Sequence, residues 1–223
     1  MSDVTVVLTS FNRADLLEKT LDSFFEMNTY PLERFIIMED SEVEGCVDFV
    51  HDRYDMPIEV YYNKPRLHQV PSVDKGYSMV ETPYIFHMEE DWEFVKPGFI
   101  EASKPVLEAD PNIIDVWLRG LDDDTLPHPY FPDRYEVSGN LLVQVQPTGL
   151  WNGFTFNPGL KRRKDWEELP NGYNGCTHVT PEHLSGGYTL ECDISVEYHK
   201  RGRIAMRFVE SYVRHSGWGR HVN

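Results

Sequence analysis

The amino-acid sequence predicts an α/β fold in which helices flank a mostly parallel sheet and a smaller, mixed sheet follows. Apolar stretches of strand length alternate with amphipathic helical patterns in residues 1–110, which is typical of strand-helix-strand units. Acidic residues stand directly after two of these apolar stretches. In residues 111–223 short strand patterns follow one another, as in antiparallel structure. We therefore predict one domain over residues 1–223 that is made of two halves, 1–110 and 111–223.

The first strand-helix-strand unit begins close to the start of the sequence. Val4 to Leu8 are apolar apart from Thr5, which predicts a strand buried on both faces. Asn12 suits the cap position of the following helix, and Asp15 would lie near the positive end of its dipole. Phe35 to Met38 are again apolar and predict the second strand.

A looser repeat of this unit follows, and acidic residues end two of the predicted strands. Ile58 to Tyr62 and Tyr84 to Met88 read as strands, with a helix over Ser72 to Val80 between them. Glu39-Asp40 follow the second strand of the chain, and Glu89-Glu90-Asp91 follow the fourth. Because the carboxyl ends of parallel strands meet at one edge of a sheet, we expect both acidic clusters to line one cleft.

In the second half of the chain the sequence patterns that predict helices and strands are shorter. A helix is predicted over Pro97 to Leu107, and the basic, polar segment LKRRKDWEELPNGYNG gives no clear strand pattern. A last helix runs from Glu191 to Arg201, with Gly202 in its C-cap position. The predicted strands of this half are Ile113 to Leu118, Leu141 to Val145, Leu150 to Phe156 and Ile204 to Val209.

The composition argues against several classes of protein. The 223 residues carry 37 acidic and 21 basic side chains, and the formal net charge of -16 disfavours a nucleic-acid partner. Apolar runs reach about five residues, against the roughly 20 that span a bilayer, and no basic region precedes the first of them. Three cysteines without CxxC spacing argue against a disulfide framework and a structural zinc site. We therefore expect a cytoplasmic protein without a transmembrane segment.

The segment YIFHMEEDWEF carries the strongest chemical signal. Three consecutive acids after a buried strand are costly unless a cation neutralises them, and Mg²⁺ or Mn²⁺ prefers such hard oxygen ligands together with substrate phosphates. In a strand conformation Glu89 and Asp91 would point to the same side and Glu90 to the other. The alternative is a solvated acidic turn. We favour a metal site.

Three motifs together resemble one enzyme family. LTSFNR after the first strand, IIMEDS after the second and FHMEEDWEF after the fourth are similar to the motifs of nucleotide-sugar transferases of the GT-A fold, especially the inverting family two. The resemblance implies that the first two motifs hold the nucleoside and that Glu89-Glu90-Asp91 stand at the DXD motif, close to an EDD variant. It implies Asp91 as a metal ligand, while Glu89 would contact either the metal or the donor ribose.

The same resemblance implies a nucleotide site. Asp40 would accept a hydrogen bond from the base, and a carboxylate suits the imide N–H of uracil, which favours UDP. Asp40 could instead cap the following turn. Further residues expected on the donor side, either in the base pocket or near the pyrophosphate, are Thr9, Phe11, Arg13, Arg66, Lys75, Glu89 and Glu90. For Arg13, Arg66 and Lys75 the alternative is a solvated surface position.

Inverting transfer needs a base for the acceptor hydroxyl. The segment GGYTLECDISVEYHKRGRIA resembles the later acidic motif of the family, in which an acid near a helix start precedes a glycine by 11 residues. Counting back from Gly202 places Glu191 at the base position, with Asp193 as the alternative. Glu191 could also be only a charge that favours the helix dipole.

The basic, glycine-rich segment RHSGWGRH contains two late histidines, His215 and His221. They are candidates for additional metal ligands on a segment that folds over the donor, as in some GT-A enzymes. A frayed terminus is the alternative.

Together these features predict an inverting, hexosyltransferase-type enzyme that uses Mn²⁺ or Mg²⁺ to move a sugar from a UDP-sugar to an unidentified acceptor hydroxyl.

A sugar nucleotidyltransferase is the nearest rival, but LTSFNRADLL lacks its glycine-rich loop. Transfer onto nucleic-acid bases would need a basic groove, for which only Lys161 to Lys164 give a hint. A non-catalytic carbohydrate-binding domain is a third possibility. It would use exposed tryptophans for stacking, and the candidates are Trp92, Trp117, Trp151, Trp166 and Trp218.

Overall fold

A computed structural model describes residues 2–123, 129–148, 151–176 and 187–217 of the chain. The strands are β1 Val4–Ser10, β2 Arg34–Glu39, β3 Ile58–Tyr62, β4 Tyr84–Glu89, β5 Trp92–Phe94, β6 Ile113–Trp117, β7 Tyr135–Val137, β8 Asn140–Gln144, β9 Gly159–Arg162, β10 Ile204–Phe208 and β11 Val213–His215. The helices are α1 Ala14–Met27, α2 Val50–Arg53, α3 Gln69–Ser78, α4 Phe99–Ala109, α5 Arg163–Glu167 and α6 Gly187–Lys200.

The main sheet has the strand order β3-β2-β1-β4-β9. β1 to β4 run parallel, and β9 pairs with β4 in the antiparallel direction at one edge. Side chains of β1 alternate between two apolar clusters: Val6 packs in the same cluster as Leu21 of α1, and Val7 in the same cluster as Val73 of α3. Helices therefore cover both faces of this sheet, which confirms the predicted mostly parallel α/β architecture.

The second half forms a four-stranded sheet with the order β6-β10-β8-β7. β10 pairs parallel with β6 and antiparallel with β8, so this smaller sheet is mixed, as predicted. A third, two-stranded ribbon pairs β11 with β5, and it brings residues 213–215 beside the acidic motif at the end of β4.

Two local predictions are wrong. Asn12 does not cap α1, because the helix begins at Ala14 and Arg13 occupies the cap position. Asn12 has a φ of +50°, and its backbone N–H donates to Glu39 Oε1 at 2.9 Å. In the predicted strand Leu150 to Phe156, the described residues 151–156 do not form a strand, because the backbone N–H groups of residues 154–156 donate to side chains of Ser195, Asp115 and Glu191 instead of to a neighbouring strand. Trp151 makes only an isolated bridge to Thr148.

The basic segment contains a strand that the sequence does not reveal. Lys161 and Arg162 lie in β9 and are buried, 3% and 7% exposed, because each pairs with an aspartate. Lys161 Nζ lies 3.0 Å from Asp115 Oδ1, and Arg162 Nε lies 2.7 Å from Asp165 Oδ2. Pairing with aspartates thus allows Lys161 and Arg162 to be buried, whereas the sequence alone predicts that these charges lie on a solvated surface.

The last helix begins earlier than predicted and ends as expected. α6 starts at Gly187, so Glu191 lies in its second turn rather than at its first residue. Gly202 follows the helix with a φ of +72°, the left-handed conformation that a C-cap glycine supplies. Across the described ranges, no helix combines the length and apolar character needed to cross a membrane.

Candidate functional site

The carboxyl ends of β1, β2 and β4 bring the sequence motifs together. In the sheet register Ser10 lies opposite Glu39, and Thr9 lies opposite Glu89. The two acidic clusters therefore share the edge where parallel sheets bind their ligands.

Asp40 organises the loop that follows β3. Its buried carboxylate accepts hydrogen bonds from Leu67 N at 2.8 Å and His68 N at 2.8 Å. Arg66 Nε, at 3.3 Å, is the most distant of its partners. The remaining donors are Asn63 Nδ2 and Ser72 Oγ. His68 has a φ of +66°, so these bonds hold the loop in a conformation that a non-glycine residue rarely adopts.

An aromatic ring and a guanidinium group stack beside Asp40. The Arg66 guanidinium carbon lies 3.8 Å from the centroid of the Phe11 ring, and Phe11 N–H donates to Glu90 Oε1 at 2.9 Å. Lys75 Nζ donates to Asn63 Oδ1 at 2.8 Å. Thr9, at the end of β1, is 7% exposed. Phe11, Arg66 and Lys75 thus lie around Asp40.

Arg13 joins two of the three acids after β4. Its Nε lies 2.8 Å from Glu90 Oε1, and its Nη1 lies 2.9 Å from Asp91 Oδ2. The expectation that Glu90 points away from Asp91 is therefore wrong, because these residues form the turn between β4 and β5 and are not extended. Glu89, still in β4, accepts a hydrogen bond from Gln69 Nε2 at 2.7 Å.

The β11 segment covers Asp91. His215 Nε2 lies 3.4 Å from Asp91 Oδ2, and Ser216 N–H donates to the Asp91 carbonyl at 2.8 Å. A Cβ atom at Gly217 would lie 2.5 Å from Asp91 Oδ2, so this close approach requires glycine. His221 lies outside the described residues.

Burial raises the pKa values of both Asp91 and Glu89, but their neighbours shift these values in opposite directions. Burial raises the pKa of Asp91, but the hydrogen bond from His215 and the charge of Arg13 outweigh it, and the pKa lies below its usual value. Burial and the charges of Asp91 and Glu90 raise the pKa of Glu89 well above its usual value. This crowding of carboxylates would be relieved by a bound cation.

The donor atoms around Asp91 determine whether the site suits a divalent metal. Among the residues that the structure describes, no group of three or more His, Cys, Asp or Glu side chains is arranged to hold a metal ion. Asp91 and His215 nevertheless lie side by side, and Glu89 interacts electrostatically with Asp91. Carboxylate oxygen and imidazole nitrogen are both ligands that Mn²⁺ accepts, so the donor chemistry fits.

Glu191 stands in a different environment in the second half. Its Oε1 accepts hydrogen bonds from Thr155 Oγ1 at 2.9 Å and from Phe156 N–H at 2.8 Å. Burial raises the pKa of Glu191 to about 7, although these two hydrogen bonds oppose the shift. Its charge also raises the pKa of Glu89, so the candidate base and the acids after β4 lie within electrostatic range. Asp193, two residues on, projects from α6 at roughly 200° from Glu191.

Sequence reasoning missed the residues that surround Glu191, namely Asp115, Thr155 and Lys161. An aspartate inside the apolar stretch IIDVW is a signal that a sequence reading can detect, because a charge in a buried strand needs a partner. Thr155 and Lys161 give no comparable signal.

Two rival interpretations, a carbohydrate-binding domain and a basic groove for nucleic acid, depend on residues that are mostly buried. Trp92, Trp117 and Trp151 are at most 3% exposed, which removes them from any sugar-stacking surface. Trp166 is half-buried and donates its Nε1–H to Asp74. Trp218 lies outside the described residues. Burial of Lys161 and Arg162 likewise removes half of the charges expected to form a basic groove.

Comparison with solved structures supports the fold. GalNAc-T7, determined with UDP, GalNAc and Mn²⁺, is 15% identical with a TM-score of 0.69, over 100% of this chain and 45% of that chain. TarS 1-349 from S. aureus is 10% identical with a TM-score of 0.60, over 96% and 60%. The mannosyltransferase PcManGT from Pyrobaculum calidifontis, in complex with GDP-Man and Mn²⁺, is 14% identical with a TM-score of 0.53, over 76% and 48%. This chain therefore spans only 45% to 60% of the lengths of these structures.

The sequence comparisons give the family. No curated protein matches the chain. The sequence model described as glycosyl transferase family 2 matches residues 5–169, which contain the three motifs and all of the main sheet except Val4. The chain belongs to glycosyl transferase family 2.

Proposed function

We propose that this chain is a divalent-metal-dependent glycosyltransferase that moves a sugar from a UDP-sugar to an acceptor hydroxyl, with inversion and with Glu191 as the general base. The observation that carries the proposal is the placement of the Glu191 carboxylate, which Thr155 and Phe156 hold through Oε1 within electrostatic range of the acids after β4. Burial raises its pKa to about 7, which suits proton transfer at neutral pH. In this proposal residues 1–110 bind the donor, and residues 111–223 supply the base and the acceptor side.

Asp40, Phe11 and Arg66 are the proposed recognition site for the uracil base. The Asp40 carboxylate already accepts hydrogen bonds from groups of this chain, and the one from Arg66 Nε is the longest at 3.3 Å. An imide N–H would replace Arg66 at Asp40 Oδ2 most readily. Phe11 offers an aromatic face for stacking, and the displaced guanidinium, with Lys75 nearby, would turn towards the diphosphate.

Asp91 and His215, with Glu89 beside them, are the proposed metal ligands, and Mn²⁺ or Mg²⁺ is the proposed ion. Two of the similar structures contain Mn²⁺, which favours manganese. When bound, the ion would neutralise the charge that develops on the departing diphosphate. Arg13 would assist, because its guanidinium fixes the Glu90-Asp91 turn and adds a second positive charge at the same place.

The two oxygens of Glu191 would have different tasks. In the described part of the chain both hydrogen bonds to this side chain reach Oε1, which leaves Oε2 to accept a proton. As the acceptor oxygen attacks the anomeric carbon, its proton would pass to Oε2. The bond between that carbon and the phosphate oxygen would break on the opposite face, and UDP would leave with the electron pair.

Release of nucleotide from a panel of sugar donors tests the proposal. With Mn²⁺ and water as a slow acceptor, the chain should release UDP from at least one of UDP-glucose, UDP-galactose, UDP-GlcNAc or UDP-GalNAc, and chelation should stop the release. GDP-mannose is the matched control, because one of the similar structures holds it. Nucleotide release from GDP-mannose alone would overturn the assignment of the uracil site. If no donor released nucleotide with any acceptor tested, the proposed enzymatic activity would be wrong.

A further inference from the structure

We propose that Thr155 is a positioning residue for the general base, and that the buried ion pair of Asp115 and Lys161 holds Thr155 in place. The proposal rests on the proposed function, in which Glu191 is that base. It assigns a role to three residues that none of the sequence motifs contains.

The segment of residues 154–156 is held by side chains and not by a strand partner. Phe154 N–H donates to Ser195 Oγ at 3.1 Å, Thr155 N–H to Asp115 Oδ2 at 3.1 Å, and Phe156 N–H to Glu191 Oε1 at 2.8 Å. Ser195 lies one helical turn after Glu191 in α6. This segment therefore connects the helix that bears the base to β6 of the second sheet.

Thr155 stands at the centre of these contacts and uses each of its polar groups. Its carbonyl accepts a hydrogen bond from Lys161 Nζ at 3.0 Å, and its Oγ1 donates to Glu191 Oε1 at 2.9 Å. Asn157 N–H donates to the same Oγ1 at 3.1 Å. Because a hydroxyl has one proton, the bond from Asn157 directs that proton towards Glu191.

The ion pair behind Thr155 lies deep in the protein. Asp115 Oδ1 and Lys161 Nζ are 3.0 Å apart, and their side chains are 1% and 3% exposed. Lys161 Nζ also lies 5.0 Å from the centroid of the Phe154 ring. A buried ion pair adds little net stability over an apolar pair of similar volume, but it fixes geometry by its directional bonds. Here those bonds reach the N–H and the carbonyl of Thr155.

The charged groups that act on Glu191 come from three strands. Asp115 of β6 raises its pKa and Lys161 of β9 lowers it, while Glu89 of β4 is the third charge within electrostatic range. The hydroxyl of Thr155 is one of the two hydrogen-bond donors that, together with the charge of Lys161, favour the ionised carboxylate. Removing that hydroxyl should release one restraint on the side chain and raise its pKa further.

The experiment compares Thr155→Val with Thr155→Ser in the full chain. Val preserves the shape without the hydroxyl, and Ser preserves the hydroxyl. UDP release is measured with Mn²⁺ and the best donor between about pH 5 and pH 9, where the ionisation of a base appears as an acid limb. Thr155→Val should lower kcat by about 10- to 100-fold, leave the donor Kd within about twofold, and move the acid limb to higher pH. Thr155→Ser should recover most of the loss.

Two results would overturn the proposal: turnover by Thr155→Val with the rate and pH profile of the parent, or equal impairment of both variants. Thermal melting checks folding, and Thr155→Ala replaces Thr155→Val if the latter does not fold. Glu191→Gln is measured beside them. If Glu191→Gln releases UDP as fast as the parent, Glu191 is not the base and Thr155 has no positioning role. UDP release by the parent would still support the proposed glycosyltransferase activity.

If the parent releases no UDP, the proposed function fails, and a direct titration still tests the contact between Thr155 and Glu191. Carbon-13 NMR of glutamate-labelled protein, with the Glu191 signal identified by its loss in Glu191→Gln, gives the pKa in parent and variant. A higher pKa of Glu191 in Thr155→Val supports the assigned contact. An unchanged pKa overturns it.

Discussion

Asp91 and Glu191 are the two carboxylates with assigned tasks in the proposed mechanism, one in each half of the chain, and their surroundings shift their pKa values in opposite directions. Asp91 is paired with the guanidinium of Arg13 and the imidazole of His215, and its pKa lies below the usual value. Glu191 is bonded to a hydroxyl and a backbone amide, and its pKa is raised to about 7. Burial favours the neutral form of both acids, so the difference comes from their partners.

In the proposed mechanism, one fold divides two tasks between two similar groups. A carboxylate beside a fixed guanidinium stays ionised, which suits the holding of phosphate through a metal. A carboxylate held by uncharged donors titrates near neutrality, which suits the exchange of a proton. Four predictions test whether this division is correct, and they run from the largest expected effect to the smallest.

Glu191→Gln tests the proton-exchange side of the comparison. A base acts in the transition state, so kcat should fall by roughly 10²- to 10⁴-fold while donor affinity stays nearly unchanged. Steady-state UDP release and calorimetry with UDP measure the two quantities. Asp193→Asn is the matched variant on the same helix. Loss of turnover in Asp193→Asn but not in Glu191→Gln would move the base by two residues.

Asp91→Asn tests the ion-binding side. The amide keeps the shape but loses the charge, so UDP binding in the presence of Mn²⁺ should weaken by about 10²-fold, as expected for loss of a charged group at a metal site. Calorimetry with and without Mn²⁺ gives the metal-dependent part. Exposed Glu93, two residues away in β5, supplies the control Glu93→Gln. Equal affinities in parent and Asp91→Asn would remove Asp91 from the metal site.

The pH dependence of stability tests the raised pKa directly. Folded Glu191 holds its proton to a pKa of about 7, above its ordinary value of 4.5. Its contribution to stability is therefore present below the ordinary value and is lost as the pH rises towards 7. Between these limits the free energy of unfolding of the parent should fall by about 1–3 kcal/mol relative to that of Glu191→Gln. Urea unfolding of both proteins near pH 4.5 and pH 7.5 measures it, and a constant difference would contradict the raised pKa.

Gly217→Ala should affect only one of the two acids. Its new methyl group would meet Asp91 Oδ2 at 2.5 Å, and the resulting shift should cost about 1 kcal/mol, which corresponds to roughly fivefold weaker Mn²⁺ binding. The acid limb of the pH profile, which reports Glu191, should not move. Movement of that limb would mean that the two sites are more tightly coupled than the comparison assumes.

The sequence predicts the parts of this molecule that depend on local pattern. The apolar stretches gave the four parallel strands with their acids at one edge, and Gly202 marked the end of α6 because its conformation is a local requirement. The motifs identify Asp91, Asp40 and Glu191 as candidate site residues. Their roles stay predictions.

The surroundings of Glu191 could not be predicted, because they depend on contacts between distant residues. Lys161 reads as a surface charge until Asp115, far back in the chain, is placed against it. Residues 154–156 read as a strand until side chains take up their N–H groups. Local propensity cannot show either of these effects.

The position of β10 in the middle of the second sheet has a consequence for biosynthesis. Its neighbours β6 and β8 leave the ribosome well before Ile204–Phe208 exist, so their pairing edges wait for a strand that is made later. The main sheet needs nothing beyond β9. We therefore expect a nascent chain to complete its main sheet first and to depend on chaperones while β6 and β8 are uncovered, because unpaired edges invite aggregation. A ribosome stalled between β9 and β10 would display a finished main sheet while the second sheet has yet to assemble.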